Sequence, residues 1–124
     1  MLKTDADRII LTKGDSAVLQ VNCVTAADEE YEPEEGDVFI LTVKRLPSAD
    51  SPVLLSVRSA PGSARIVLAP EDTRDIPAGL YSADIELRTE DGAVYTVFPT
   101  LDAVPRGRTA NYRNFDLRSE VTAR

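Results

Sequence analysis

The segment formed by residues 76–98, IPAGLYSADIELRTEDGAVYTVF, carries the strongest local pattern in the chain. Apolar and polar residues alternate along it, with one side formed by Tyr81, Ala83, Ile85 and Leu87 and the other by Ser82, Asp84, Glu86 and Arg88. This alternation is typical of a strand with one buried and one solvated face. The strand ends at Glu90-Asp91-Gly92, since glycine tolerates the positive φ of a tight turn, and residues 93–98 return as a second strand. The pattern therefore predicts a β-hairpin.

The register of this hairpin depends on the length of its loop. A two-residue loop at Asp91-Gly92 would bring Val94, Thr96 and Phe98 beside Ile85 and Leu87. A three-residue loop with a glycine bulge would bring Tyr95 and Val97 there instead. The sequence leaves both registers open.

The turn that leads into the hairpin has the pattern Pro-x-Gly-x-Tyr, formed by Pro77, Gly79 and Tyr81. This pattern is typical of a tyrosine corner in an immunoglobulin-like sandwich, in which the ring packs at the core edge and the hydroxyl bonds to backbone a few residues upstream. We predict that these three residues are structural. A tyrosine that contacts a ligand is the alternative.

Short strand patterns separated by turn residues recur along the rest of the chain. They cover residues 9–11, 16–24, 38–45, 53–58 and 64–69, and a last short strand is indicated within residues 99–104. Residues 70–76 begin with proline and two acids, which predicts one helical turn. Short strands without a long amphipathic helix favour an all-β fold, an immunoglobulin-like β-sandwich of about seven or eight antiparallel strands. We assign this sandwich to residues 1–104.

Charge and length limit the classes of partner. The 124 residues suit one domain, and 21 acids against 14 bases give a net charge of −7. Such a field repels phosphate backbones and anionic lipid headgroups, so we expect neither nucleic acid nor membrane as a partner. No apolar run has the length of a signal peptide or a membrane span, and we therefore expect synthesis and retention in a cytoplasm.

Residues suited to catalysis are scarce. The chain has no histidine, which excludes Ser-His-Asp and Cys-His arrangements, and Cys23 falls on the apolar side of a predicted strand as a small buried hydrophobe. Asp84 and Glu86 form an exposed acidic pair balanced by Arg88. No phosphate-binding glycine loop is present. We predict no enzymatic activity, no cofactor, no metal and no small-molecule substrate.

Residues 25–37, TAADEEYEPEEGD, hold seven carboxylates, at positions 28, 29, 30, 32, 34, 35 and 37. Like charges at this density oppose compaction, which predicts a solvated loop or a surface that faces a partner. A calcium site is the alternative, although an EF-hand loop requires acids at alternate positions around a central glycine.

Residues 105–124 differ in composition from the rest of the chain. Residues 105–124 contain five arginines and two acids and so carry a net charge of +3. The first 104 residues therefore carry −10. Isolated apolar residues lie between the arginines. We predict an Arg-rich C-terminal arm that lies on a neighbouring subunit, where guanidinium groups pair with carboxylates and rings fill pockets. The predicted partner-binding residues are Arg106, Arg108, Tyr112, Arg113, Phe115, Leu117 and Arg118. The acidic loop at residues 28–37 of an adjacent copy is one surface that would receive the arm, and a frayed terminus is the alternative.

Several short motifs in the first 104 residues recur in one group of proteins. They are LTKGD at residues 11–15, EGD at 35–37 before LTVK at 41–44, IPAGLY at 76–81 and DGAVYTV at 91–97. With these motifs the chain resembles small virion proteins of tailed bacteriophages, close to the N-terminal immunoglobulin-like domain of BppU-type phage baseplate upper proteins. The resemblance implies a non-enzymatic structural protein, made in the cytoplasm of a bacterial host, that binds other virion proteins and copies of itself in the baseplate, tail or neck. Capsid decoration, or binding of a host-surface carbohydrate or receptor, is the alternative role.

Overall fold

The computed structural model describes residues 2–5, 8–25, 27, 29–98 and 115–119, with side chains described from Arg8 onward. Nine strands and one short helix lie in these ranges: β1 Leu2–Asp5, β2 Arg8–Thr12, β3 Ala17–Gln20, β4 Val38–Lys44, β5 Val53–Arg58, β6 Arg65–Leu68, α1 Pro70–Arg74, β7 Gly79–Arg88, β8 Val94–Phe98 and β9 Phe115–Arg118. The all-β class predicted from the sequence is confirmed. The predicted strand at residues 99–104 lies outside the described residues.

The larger of the two sheets is built around β7. Seven of the described strands form it, in the order β1-β2-β9-β7-β4-β5, with β8 also paired to β7. β4 runs antiparallel to β7 along Ser82 to Arg88. β8 pairs with the second half of β7, and β9 pairs with its first three residues. β2 and β9 are parallel, which differs from the purely antiparallel arrangement that the sequence predicts.

The smaller sheet consists of β3 and β6, which are antiparallel and only four residues long each. Their side chains alternate between buried and exposed, so that Ala17, Leu19, Ile66 and Leu68 face inward. These residues share one hydrophobic cluster with inward-facing residues of the larger sheet, among them Phe39, Leu41, Tyr81, Ile85, Leu87 and Phe115. The core therefore lies between the two sheets, and the smaller one covers only part of the larger.

The helix α1 connects the two layers. Pro70 opens it, and the Asp72 carboxylate accepts a hydrogen bond from the Ala69 N–H at 2.7 Å, which satisfies a donor that a helix start leaves unpaired. Thr73 is fully buried, and its hydroxyl oxygen accepts a hydrogen bond of 2.8 Å from the N–H of Gly14. The predicted helical turn is confirmed. In the ranges that the structure describes, no helix has the length and hydropathy needed to cross a membrane.

The loop of the β7–β8 hairpin is three residues long, Glu90 to Gly92, and Gly92 adopts a φ of 95°. The Thr89 N–H donates to the Ala93 carbonyl at 3.0 Å, and this closure places Tyr95 opposite Leu87. A register shift between Ile85 and Glu86 then brings Phe98 opposite Ile85. The structure thus has the register of the three-residue loop near the turn. Farther along, a bulge places Phe98 instead of Val97 opposite Ile85.

Strand β9 corrects the predicted C-terminal arm. Phe115 pairs with both Ile9 and Tyr81, and Phe115 and Leu117 are each 1% exposed. These two residues fill this chain's own core and cannot at the same time fill pockets on a neighbour. The boundary drawn at residue 104 therefore does not separate the sandwich from residues 115–118. An apolar alternation of only Phe115 and Leu117, isolated among polar residues, was too short to indicate a strand.

Candidate functional site

Tyr81 has the structural geometry predicted for it. Its side chain is 2% exposed, and its hydroxyl donates a hydrogen bond to the Pro77 carbonyl, four residues upstream. Gly79 lies in van der Waals contact with the ring. The Arg45 guanidinium lies 5.5 Å from the ring centroid on the outer side. A ligand has no access to this ring, and Tyr81 fixes the entry into β7.

The three described members of the predicted partner-binding set, Phe115, Leu117 and Arg118, do not form an exposed site together. Arg106, Arg108, Tyr112 and Arg113 lie outside the described residues. Phe115 and Leu117 are buried in the core. Arg118 is half-buried, and its Nη2 lies 3.1 Å from Asp116 on the same strand.

The described surface instead contains a groove between the β7–β8 hairpin and residues 23–31. We call it the apolar groove. Its volume is about 540 Å³. Its lining residues are Cys23, Val24, Thr25, Tyr31, Leu87, Thr89, Tyr95, Thr96 and Val97. Val24 and Tyr95 are 62% and 56% exposed, although Tyr95 stands directly opposite the buried Leu87.

The wall of the apolar groove that faces the hairpin is a short loop closed by backbone hydrogen bonds. The Tyr31 N–H donates to the Cys23 carbonyl at 2.9 Å, and the Thr25 N–H donates to the Glu29 carbonyl at 2.7 Å. An antiparallel bridge joins Val24 to Glu30 between them. These bonds hold Val24 at the mouth of the groove.

Asp37 anchors this wall to the body of the protein. Only 1% of Asp37 is exposed, and its carboxylate accepts hydrogen bonds from the Tyr31 hydroxyl and, at 2.8 Å, from the Glu34 N–H. Its backbone carbonyl accepts a hydrogen bond of 2.8 Å from the Gly62 N–H. Asp37 therefore departs from the solvated loop that the sequence predicts, because it is a buried acceptor that organises the turn.

Two side chains of the groove wall, Tyr31 and Cys23, have raised pKa values. The hydrogen bond to Asp37 is the largest of the effects that raise the pKa of Tyr31 to about 12. Burial, with the charge of Asp37 as a smaller contribution, raises the pKa of the Cys23 thiol. A raised thiol pKa lowers the thiolate fraction, so Cys23 contributes apolar surface to the groove and no nucleophile.

A second concavity, which we call the acidic notch, adjoins the apolar groove. Its volume is about 420 Å³, and its lining residues are Glu34, Thr89, Glu90, Asp91, Ala93 and Tyr95. Thr89 and Tyr95 belong to both concavities. Glu34, Glu90 and Asp91 are exposed, and no described lysine or arginine forms an ion pair with them. An apolar surface and a negative surface thus meet at Tyr95.

The acidic loop and the hairpin tip form this notch because their backbones approach closely. A Cβ added at Gly36 would lie 2.5 Å from the Cβ of Glu90, so that only a glycine fits here without movement. Within the described ranges, no group of three or more Cys, Asp or Glu side chains is arranged to hold a metal ion. Asp28 lies outside those ranges. The geometry therefore gives the calcium alternative no support.

Comparison with protein-family models, with curated proteins and with solved structures gives no match. The apolar groove and the acidic notch are the described features that bear on function. Sequence reasoning did not identify either one, although the three-residue register already pointed Tyr95 toward Leu87. No pattern in the sequence indicates that Tyr95 stays exposed in the fold.

Proposed function

We propose that this chain is a non-enzymatic structural component of a tailed bacteriophage particle, in the baseplate, tail or neck, and that it assembles through protein–protein contacts at the apolar groove and the acidic notch. The observation that carries the proposal is the exposure of Tyr95 and Val24 in a concave surface bordered by carboxylates. Aromatic residues are enriched in the centres of protein interfaces, and polar residues at their rims. An apolar concavity with a charged border has this composition.

Strand order supports an immunoglobulin-like sandwich as the scaffold of this module. β7, which carries the Tyr81 corner, lies between β4 and the strands β8 and β9, and β3 with β6 forms the opposite layer. Immunoglobulin-like domains share a tyrosine corner on a central strand and two packed sheets. The phage setting is supported by the sequence motifs that resemble baseplate domains.

Particles purified from host cells that carry the gene test this proposal. We expect mass spectrometry to detect the chain in intact particles, and electron microscopy to place it at a repeating position. Particles that lack the chain at every stage of assembly would contradict the structural role.

The exposed ring of Tyr95 beside Glu34, Glu90 and Asp91 also favours a second candidate, a host-surface carbohydrate-binding module. Sugars bind proteins through exposed aromatic faces with nearby hydrogen-bond acceptors. A glycan array separates the two candidates. Specific binding of a sugar that is lost in Tyr95→Ala would favour the carbohydrate module, and the absence of binding would favour assembly.

A further inference from the structure

We infer that the apolar groove and the acidic notch bind residues 105–114 of a second copy of this chain. The inference rests on the proposed assembly function and names the partner of the same site. The contact would place an aromatic residue of the segment in the apolar groove and its arginines along the acidic notch.

The apolar half of the site requires an occupant with an apolar or aromatic side chain. Tyr95 and Val24 are more than half exposed, while Leu87 at the groove floor is 4% exposed. A volume of about 540 Å³ lies in the range of sites that enclose a ligand of moderate size. Covering this surface removes apolar area from water, which is the main favourable contribution to association.

The acidic half of the site requires positive charge. Glu34, Glu90 and Asp91 face the notch with no described cation paired to them. Residues 105–114, PRGRTANYRN, contain three arginines, one tyrosine and no acid. The planar guanidinium group binds carboxylates through two parallel hydrogen bonds, so an arginine segment matches this border. Charge complementarity therefore selects this segment within a chain whose net charge is −7.

The distance along β7 favours a second copy as the source of the tyrosine. Phe115 stands opposite Tyr81, and Leu87 lies six residues farther along β7, about 20 Å at the rise of a strand. Tyr112 precedes Phe115 by three residues and can therefore lie at most about 10 Å from it. The backbone of the chain's own Tyr112 therefore stays at least about 10 Å short of Leu87 along the strand, whereas a second copy can place its tyrosine directly against the groove floor.

The inferred contact joins two different surfaces, a groove on one copy and a segment on the other. A pair joined by one such contact keeps one free groove and one free segment, whereas a pair that exchanges its segments reciprocally is closed. Further copies add to an open pair until a ring closes or a filament grows. Both outcomes suit a component that occupies repeating positions.

Sedimentation velocity with the full chain over a range of concentrations tests the inference. We expect the wild-type chain to self-associate. A groove variant, Val24→Ser with Tyr95→Ser, and a segment variant, Arg106→Ser with Arg108→Ser and Arg113→Ser, should each weaken association at least tenfold. An equal mixture of the two variants should form pairs again, because the segment variant keeps an intact groove and the groove variant keeps an intact segment.

Matched controls separate the contact from a general loss of surface or charge. Val67 is 60% exposed on β6, and Arg65 is exposed on the same strand. Val67→Ser and Arg65→Ser should leave association unchanged, and thermal melting should show that every variant is folded. Higher ionic strength should weaken wild-type association, since exposed charge pairs are screened.

Three results would overturn the inference: a wild-type chain that stays monomeric, a groove variant that associates like the wild type, and a mixture of folded variants that forms no pairs. A monomeric wild type would leave the groove to a different virion protein or to the chain's own residues. The structural role is tested separately. A chain that occupies repeating positions in particles but does not self-associate keeps the proposed function and loses this inference, whereas a chain absent from particles loses the proposed function.

Discussion

The hydrogen bond from the Tyr31 hydroxyl to Asp37 holds one wall of the apolar groove. Tyr31→Phe removes this donor and leaves the buried carboxylate with the hydrogen bond from the Glu34 N–H. Loss of a hydrogen bond to a buried charged group costs about 1–3 kcal/mol, and we expect the free energy of unfolding to fall by that amount. Urea denaturation measures the change. Tyr95→Phe, at an exposed ring, is the matched control and should change stability by less than about 0.5 kcal/mol.

The dependence of folding stability on alkaline pH is a second test of the hydrogen bond between Tyr31 and Asp37. The pKa of Tyr31 is raised from 10.0 to about 12, so between these values the folded chain keeps a proton that the unfolded chain has lost. The stabilisation by this phenol is therefore complete below pH 10 and is lost as the pH rises toward 12. The wild type should lose stability over this range more steeply than Tyr31→Phe. Equal slopes would show that the bond does not persist in solution.

Asp84 lies on the outer face of β7, and its ionised form destabilises the folded state. Burial, followed by the charge of Glu86, raises the pKa of Asp84 above its ordinary value of 3.8, and Lys44 partly offsets this. The folded state therefore binds the proton more tightly than the unfolded state, and stability is lost as the pH rises from 3.8 through the folded pKa. We expect Asp84→Asn to melt at a higher temperature than the wild type at neutral pH.

The difference in melting temperature between Asp84→Asn and the wild type should shrink as the pH falls below 3.8, where the carboxyl is protonated in both states. Asp50→Asn, at an exposed loop position, is the control for the loss of one surface carboxylate. A difference that stays constant with pH would assign the effect of Asp84→Asn to packing instead of charge.

At the scale of elements, β9 completes the larger sheet between β2 and β7. Phe115→Ala should lower the free energy of unfolding by about 3–5 kcal/mol, because it leaves a cavity in the shared core. Chemical denaturation measures this loss of stability, with Val67→Ala at an exposed strand position as the control.

Deletion of residues 105–124 removes β9 and should therefore destabilise the fold itself. A truncated chain that melts cooperatively at the wild-type temperature would support a detachable arm.

The elements that the sequence predicted well are those whose pattern is complete within a few residues. β7 and β4 have long apolar patterns, and the Glu90–Gly92 loop has a glycine at its turn, so the hairpin and the central strands were predictable. β1 and β9 are four residues each, and β9 is a strand only because β2 and β7 both offer it hydrogen bonds. Such long-range pairing leaves no periodic signal in a short segment.

At the scale of the whole molecule, the two sheets differ in size, and this difference creates the candidate site. The larger sheet has seven described strands and the smaller one has two, and Val94 and Tyr95 at the start of β8 are more than half exposed. One of the two registers that the sequence leaves open places Tyr95 and Leu87 on one face, and no pattern in the sequence fixes how far the opposite layer extends. The acidic loop was recognisable by composition, whereas the role of Asp37 as its buried anchor depends on contacts that only the fold provides.

The unequal sheets also predict unequal local stability. β4 has strand partners on both sides and a buried inner face, whereas the described partner of β8 is β7 alone and its inner face is open at Tyr95. Amide groups with fewer buried contacts exchange through smaller local openings. Hydrogen–deuterium exchange should therefore label β8 well before β4 in dilute protein.

A second copy that covers the apolar groove should slow exchange in β8 and in residues 23–25 and leave exchange in β4 unchanged. The measurement compares concentrated wild-type protein with the variant Val24→Ser plus Tyr95→Ser at the same concentration. Equal protection of β8 and β4 in dilute protein would mean that the hairpin face is already covered by the chain itself.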